Sequence, residues 1–270
     1  MNSSLRRFSL ALLGLLALTP GVPAQNALPP GVERVELAVD GVARVALVYA
    51  PASARTNRTP VVFGFHGHGG TAAAGLREFA MNREWPEAIS VYMQALNTPG
   101  RFIDFEGKQS GWQLRQGDQG DRDLKFFDAL LARLKQDYQV DEKRVYAVGN
   151  SSGGYFTFLL WAARGEALTA VAPAASEAAD MFPALKPKPV LFVGGEKDQR
   201  VKYEWMRTTF NAVRKLNGCA AEGSPWGEHC TLFASSSGTP VVEFIHQGGH
   251  EYPKGVNAAI ARFFQEHPKR

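Results

Sequence analysis

The residues that most constrain this chain are Gly149-Asn150-Ser151-Ser152-Gly153. Before them runs Arg144-Val145-Tyr146-Ala147-Val148, a short β-branched and aromatic stretch. After them runs Tyr155 to Arg164, rich in Phe, Leu, Trp and Ala. The pattern places a serine on a sharp strand-to-helix turn. Small residues two before and two after it let neighbouring backbone pass without a Cβ clash. The hydroxyl then stands at a helix N-terminus, where backbone N–H groups can hold an oxyanion. A Gly/Ser-rich turn is common by itself. The flanking strand and helix are what make this one a candidate nucleophile.

The rest of the chain supplies a sheet for that turn. Val32 to Val39 and Val42 to Tyr49 alternate in polarity and are joined by Asp40-Gly41, a hairpin signal. Val61 to Phe65 is a continuous apolar run, which reads as a buried strand. Further strands are predicted at Val91 to Ala95, Thr169 to Ala172, Pro189 to Val193 and Val241 to Ile245. Helices are predicted at Asp121 to Tyr138, Val201 to Leu216 and Ala258 to Phe264, with a long loop at Asn97 to Asp118. Strands alternating with helices after a leading antiparallel hairpin predict an α/β fold. Its sheet is mostly parallel and covered on both faces. Pro173 to Lys188 is too short for a large helical lid. No shift in composition marks a second domain, so residues 25–270 read as one unit.

The chain has 270 residues, 45% of them hydrophobic, enough for one large core. Its beginning differs in kind. Arg6 and Arg7 precede the apolar stretch Phe8 to Leu18, and Thr19 to Ala24 offers small residues for cleavage. Residues 1–24 therefore read as an export signal, leading to a secreted or periplasmic protein. The apolar run is too short for a membrane anchor. The formal charge of +4 falls by two when Arg6 and Arg7 leave, which argues against nucleic-acid or anionic-membrane partners. The two cysteines, Cys219 and Cys230, lie in the exported part. In an oxidising compartment an even pair predicts a disulfide, worth roughly 3 kcal/mol in the chain-entropy model. Asn57-Arg58-Thr59 is a glycosylation sequon, relevant only in a eukaryotic secretory pathway.

A serine hydroxyl needs a general base, and the base needs a third group to orient it. On such a sheet these groups sit beyond the carboxyl ends of strands. Asp198 follows Pro189 to Val193 by a short loop and is the candidate acid, ahead of Glu196 and Asp180. His250 follows Val241 to Ile245 across Gly248-Gly249 and is the candidate base, ahead of His246. His229 and His267 are poorly placed. The oxyanion donors are predicted to be the N–H of Ser152 and of His68, the latter in the glycine-rich segment Phe65-His66-Gly67-His68-Gly69-Gly70. His66 and His68 also raise a metal reading, but no Cys or carboxylate stands at ligand spacing, so neither metal nor cofactor is expected. Trp112, in the long loop, reads equally as an aromatic wall for substrate and as a pin holding the loop to the body.

Together these motifs resemble the secreted polyhydroxybutyrate-depolymerase-like and feruloyl-esterase family of α/β-hydrolases. The similarity runs from about Pro60 to Pro253. Its anchors are the segment Phe65 to Gly70, Gly111-Trp112, Val140-Asp141 to Gly149, Ser151 to Gly154, Leu216-Asn217-Gly218-Cys219 and Gly248-Gly249-His250. The resemblance implies a triad of Ser151, Asp198 and His250, and acyl transfer from an ester, polymeric esters included, without a cofactor. Two positions depart from the family pattern: Tyr252-Pro253 stands where Trp-Pro is usual, and Ser152 where Ala is frequent. A peptidase on the same fold is the rival reading. A non-catalytic binding module fits an intact triad less well.

Overall fold

Asp40 and Gly41 both take positive φ, 49° and 79°, and close a two-residue hairpin turn. The turn joins β1 (Val32–Val39) to β2 (Val42–Tyr49), in register from Val39 opposite Val42 to Val32 opposite Tyr49. The computed structural model describes residues 28–269; the segment 1–24, read above as an export signal, lies outside them. After the hairpin come β3 (Thr59–Phe65), α1 (Ala72–Phe79), α2 (Met81–Glu84), β4 (Ile89–Met93), β5 (Leu96–Asn97) and β6 (Ser110–Gly111). Next are α3 (Arg122–Asp137), β7 (Val140–Asn150), α4 (Ser152–Arg164), β8 (Ala170–Ala174) and β9 (Val190–Gly195). The chain ends with α5 (Tyr203–Leu216), β10 (Ser224–Gly227), β11 (Cys230–Phe233), β12 (Val241–His246) and α6 (Val256–Glu266).

Ten strands form one sheet in the order β1-β2-β4-β3-β7-β8-β9-β12-β11-β10, and β5 pairs separately with β6. The centre, from β4 to β12, is parallel, and the strands outside it on both edges run antiparallel. Side chains on a strand alternate between faces, and the core divides accordingly. Val61, Phe63 and Phe65 pack with residues of α3, α4 and α5 on one face. Val62, Tyr146 and Val148 pack with residues of α1 and α6 on the other. Helices thus cover both faces, as the alternation of elements predicted. Only Ala175 to Pro189 separate β8 from β9, so no large lid is built there.

Arg44 of β2 is 1% exposed and pairs with Asp123 of α3, Nη2 to Oδ1 at 2.6 Å. The second carboxylate oxygen, Oδ2, accepts from the Gln113 backbone N–H at 2.8 Å. This buried pair therefore fixes the hairpin, α3 and the end of the long loop together. Removing one partner of such a pair costs about 3–5 kcal/mol, because the other charge is left buried alone. Helix α1 has no counterpart in the sequence reading. Its signal was Thr71, whose side chain accepts from the Ala74 N–H at 3.1 Å as an N-cap.

The cysteine segment corrects two expectations. Residues 220–229, for which the sequence shows no strand pattern, contribute β10, and β10 pairs with β11 to extend the sheet edge. The predicted disulfide is absent: both thiols are free. Cys219 lies opposite Ser235, whereas Cys230 lies opposite Phe244 at the far end of β11. Five strand positions between Cys230 and Ser235 correspond to about 17 Å, against an upper limit of about 7 Å between bridged Cα atoms. The two thiols also pack on opposite faces of the sheet.

Candidate active site

Ser151 sits where β7 turns into α4, with φ 54° and ψ −118°. A non-glycine residue in such a conformation costs about 1–3 kcal/mol, and its surroundings must impose it. The packing here does so. A Cβ on Gly149 would strike the Gly153 carbonyl, and a Cβ on Gly153 would strike the carbonyl of Phe65 on β3. The turn is thereby pressed against the neighbouring strand. The Ser151 N–H donates to the Ala174 carbonyl on β8 at 2.9 Å, which anchors its other side.

His250 and Asp198 reach Ser151 from the ends of β12 and β9. The two loops are tied to each other: Glu196 N–H donates to the His246 carbonyl and Lys197 N–H to the Gly248 carbonyl, both at 2.9 Å. Asp198 is 2% exposed. Its Oδ1 accepts from the Arg200 and Val201 N–H groups at 2.8 and 3.0 Å. Its Oδ2 accepts from His250 Nδ1 at 2.7 Å. That contact puts the ring proton on Nδ1 and leaves Nε2 free to accept. Ser151 Oγ lies 2.8 Å from His250 Nε2. The three predicted residues, 52 and 99 positions apart along the chain, meet in one line of hydrogen bonds.

The runners-up lie elsewhere. Glu196 is exposed, and Asp180 pairs with Arg115 at 2.7 Å. His246 uses its Nδ1 to accept from the Gly248 N–H at 3.2 Å, inside the turn that presents His250. His229 sits beside Glu228, and His267 Nδ1 donates to the Phe263 carbonyl.

A cleft of about 200 Å³ opens over Ser151. Gly67, His68 and Ser152 line one side of it. Among the described residues, the backbone N–H groups of His68 and Ser152 have no protein acceptor, so both are free to serve a ligand oxygen. The His68 ring is turned aside and held: Nε2 donates to Asp104 Oδ2 at 2.9 Å. The N–H groups of Lys108 and Gln109 donate to the same carboxylate, and these bonds keep Asp104 below the usual carboxylate range. His66 is buried, with Nδ1 donating to the Gly67 carbonyl at 2.7 Å and Nε2 accepting from the Ala95 N–H at 3.3 Å. Burial lowers its pKa below the ordinary imidazole value.

Trp112 belongs to the core. It is 1% exposed, stacks on Phe156 at 4.9 Å, and donates from its indole N–H to the His66 carbonyl at 2.8 Å. It pins the long loop and contributes no surface to the cleft, which corrects its reading as a substrate wall. The walls come instead from Phe102, Ile103, Leu114 and Tyr155, with Arg101 and Arg200 at the mouth. Arg101 lies over the Tyr155 ring and pairs with Glu177 at 3.1 Å, latching the long loop to the β8–β9 connection. Sequence reasoning missed these residues because Phe102, Ile103 and Leu114 lie in an aperiodic loop with no face to assign, and Tyr155 lies on α4, whose first turns are buried all round. The available signal was Phe102-Ile103 and Phe105, large apolar residues in an otherwise polar loop.

No protein-family model matches the chain. A probable feruloyl esterase C from Aspergillus flavus is 23% identical over 266 residues, covering 94% of this chain and 95% of its own length. Feruloyl esterase C from Emericella nidulans is 28% identical over 59% of this chain and 60% of its own. A bifunctional acetylxylan esterase/xylanase from Neocallimastix patriciarum is 24% identical over 67% of this chain, which spans only 25% of that longer protein. Among solved structures, an acetyl xylan esterase from Aspergillus awamori superposes with a TM-score of 0.66. It is 13% identical, with 87% of this chain and 98% of that one covered. A thermostable esterase superposes with a TM-score of 0.62 at 16% identity, over 88% and 64% of the two chains. In fold the chain is an α/β-hydrolase, and the curated proteins it resembles are feruloyl and acetylxylan esterases.

Proposed function

We propose that this protein is an exported carboxylic ester hydrolase that works through an acyl-enzyme on Ser151. The observation that carries the reading is the Ser151–His250–Asp198 line of hydrogen bonds, with two uncommitted N–H groups beside the hydroxyl. Ser151 Oγ attacks the ester carbonyl while His250 Nε2 takes its proton. The C–O bond of the tetrahedral intermediate then breaks, and His250 returns the proton to the leaving alcohol. Water, deprotonated by His250, releases the acid and restores Ser151. The oxyanion is held by the N–H groups of His68 and Ser152, and Asp198 keeps the imidazole oriented and stabilises it when charged. The esterase relatives support the ester as substrate. The aromatic cleft suits an aryl acyl group such as feruloyl, and the short β8–β9 connection, which leaves no room for a large lid, suits esters carried on bulky or polymeric alcohols. The export-signal pattern in residues 1–24 supports export, with residues 25–270 proposed as the catalytic unit.

The test is Ser151→Ala assayed on feruloyl, acetyl and polyester substrates. Turnover should fall by a factor on the order of 10⁶, while the melting temperature holds. A fluorophosphonate probe should label the parent protein and leave the variant unlabelled. Labelling that survives in the variant places the nucleophile elsewhere.

A further inference from the structure

Glu78, in the last turn of α1, sends its carboxyl inward, and Oε1 accepts from Asn150 Nδ2 at 2.9 Å. Its backbone carbonyl accepts from Asn257 Nδ2 at 2.7 Å. Asn257 Oδ1 accepts in turn from the Tyr252 hydroxyl at 2.8 Å. One polar chain thus touches three segments. Asn150 immediately precedes Ser151, Tyr252 follows His250 by two residues, and α1 follows the loop that carries His68. The contact at Asn150 bears on geometry. A Cβ built on Gly67 would just reach ordinary contact with the Asn150 carbonyl oxygen and Ser151 Cβ, at 3.6 and 3.7 Å, and one built on Gly153 would strike the carbonyls of Phe65 and His66, so the elbow and the oxyanion loop lie closely side by side. A shift of Asn150 moves Ser151 against its oxyanion donors.

The protonation state of Glu78 follows from its partner. A carboxylic acid and a primary amide can pair through two hydrogen bonds, amide N–H to acid carbonyl and acid O–H to amide carbonyl. The first is present here. Asn150 is 9% exposed, and its Oδ1 is buried with no donor. A protonated Glu78 holds the proton that oxygen lacks, whereas a carboxylate would set negative charge against it. Burial pushes the Glu78 carboxyl up, opposed only by the Asn150 hydrogen bond. The titratable group that faces it is Tyr252, kept protonated by burial, with Tyr92 and Glu84 beyond Tyr252 and Arg83 beside Tyr92. Arg77, its neighbour on α1, is exposed.

We propose that Glu78 is a positioning residue that holds the Ser151 elbow through Asn150, and that it does so in its uncharged form. The proposal rests on Ser151 as nucleophile. Its test is kcat and KM on a soluble aryl acetate, measured across pH for the parent, Glu78→Gln and Glu78→Ala. The expected result for Glu78→Ala is a kcat lower by about 10- to 100-fold with KM little changed, the signature of a misplaced reacting group. Glu78→Gln, an uncharged isostere, should match the parent on the acid side and exceed it on the alkaline side, where only the parent ionises. A Gln variant as impaired as the Ala variant at every pH overturns the proposal, as does an Ala variant with parental kcat. Should Glu78→Ala not fold, the Gln profile alone decides: a profile below the parent throughout overturns the proposal. Failure of the nucleophile reading would show separately, as fluorophosphonate labelling that persists in Ser151→Ala.

Discussion

The elbow at Gly149–Gly154 and the cysteine segment at 219–230 both carry short sequence patterns that predict a geometry, and only the first takes up that geometry in three dimensions. The elbow pattern is steric and local. Its glycines stand where a Cβ would strike the Gly153 carbonyl (at Gly149), the Phe65 carbonyl of β3 (at Gly153) and the Ala174 carbonyl of β8 (at Gly154), so the spacing already contains the geometry. The cysteine pattern is a matter of distance. Eleven positions apart in sequence says nothing of register, and the β10–β11 hairpin carries the two thiols to different ends of a strand and different faces of the sheet. A motif defined by excluded volume transfers from sequence to structure; a motif defined by proximity does not.

The contrast can be broken in order of expected effect. The largest test is at the histidines. His250→Ala should lower kcat by a factor on the order of 10⁶, whereas His246→Ala should keep near-parental kcat and lose about 1 kcal/mol of stability through the Gly248 contact. Steady-state kinetics with a melting curve separates the two, and an indispensable His246 would undo the assignment of the turn. Next is Gly153→Ala. The added methyl has no space against the Phe65 carbonyl, so the variant should lose about 3 kcal/mol by overpacking, and turnover should fall with it as the elbow shifts. Denaturant titration measures the first, and full stability would show that the elbow yields. The smallest effects belong to the cysteines. A reducing agent should leave the melting temperature unchanged, and both thiols should react with a thiol reagent once the protein is unfolded. Cys219→Ser should be near neutral. Cys230→Ser should cost about 1 kcal/mol, since it buries a hydroxyl where the thiol is 5% exposed. Burial pushes the Cys230 thiol up to about 11, which keeps it unreactive in the folded protein.

Several elements were legible because their signals are local. The Asp40-Gly41 turn fixed the first hairpin to the residue. Apolar runs at Val61 to Phe65 and Pro189 to Val193 marked strands buried on both faces. The positions of Asp198 and His250 followed from a rule about strand ends, which needs only strand order. Helix α1 escaped because its buried face, Ala72, Gly75, Leu76 and Phe79, has helical spacing over only eight residues and small residues at two of the four positions. Strands β10 and β11 escaped because strands of four residues carry almost no alternation.

What the sequence alone determined, then, is the layered α/β frame and the identity of three polar residues at strand ends, because backbone sterics and side-chain periodicity act within a few residues. What only the tertiary structure decided is how remote segments sit against one another. Trp112 became a core residue because Phe65 and Phe156 close around its ring. Phe102, Ile103 and Tyr155 became the cleft walls because the Arg101–Glu177 pair holds the long loop across it. Glu78 came to bear on Ser151 through an amide 72 residues away. Each depends on a contact between segments far apart in the chain, and such contacts are selected by the packing of the whole core, which no local window of sequence contains.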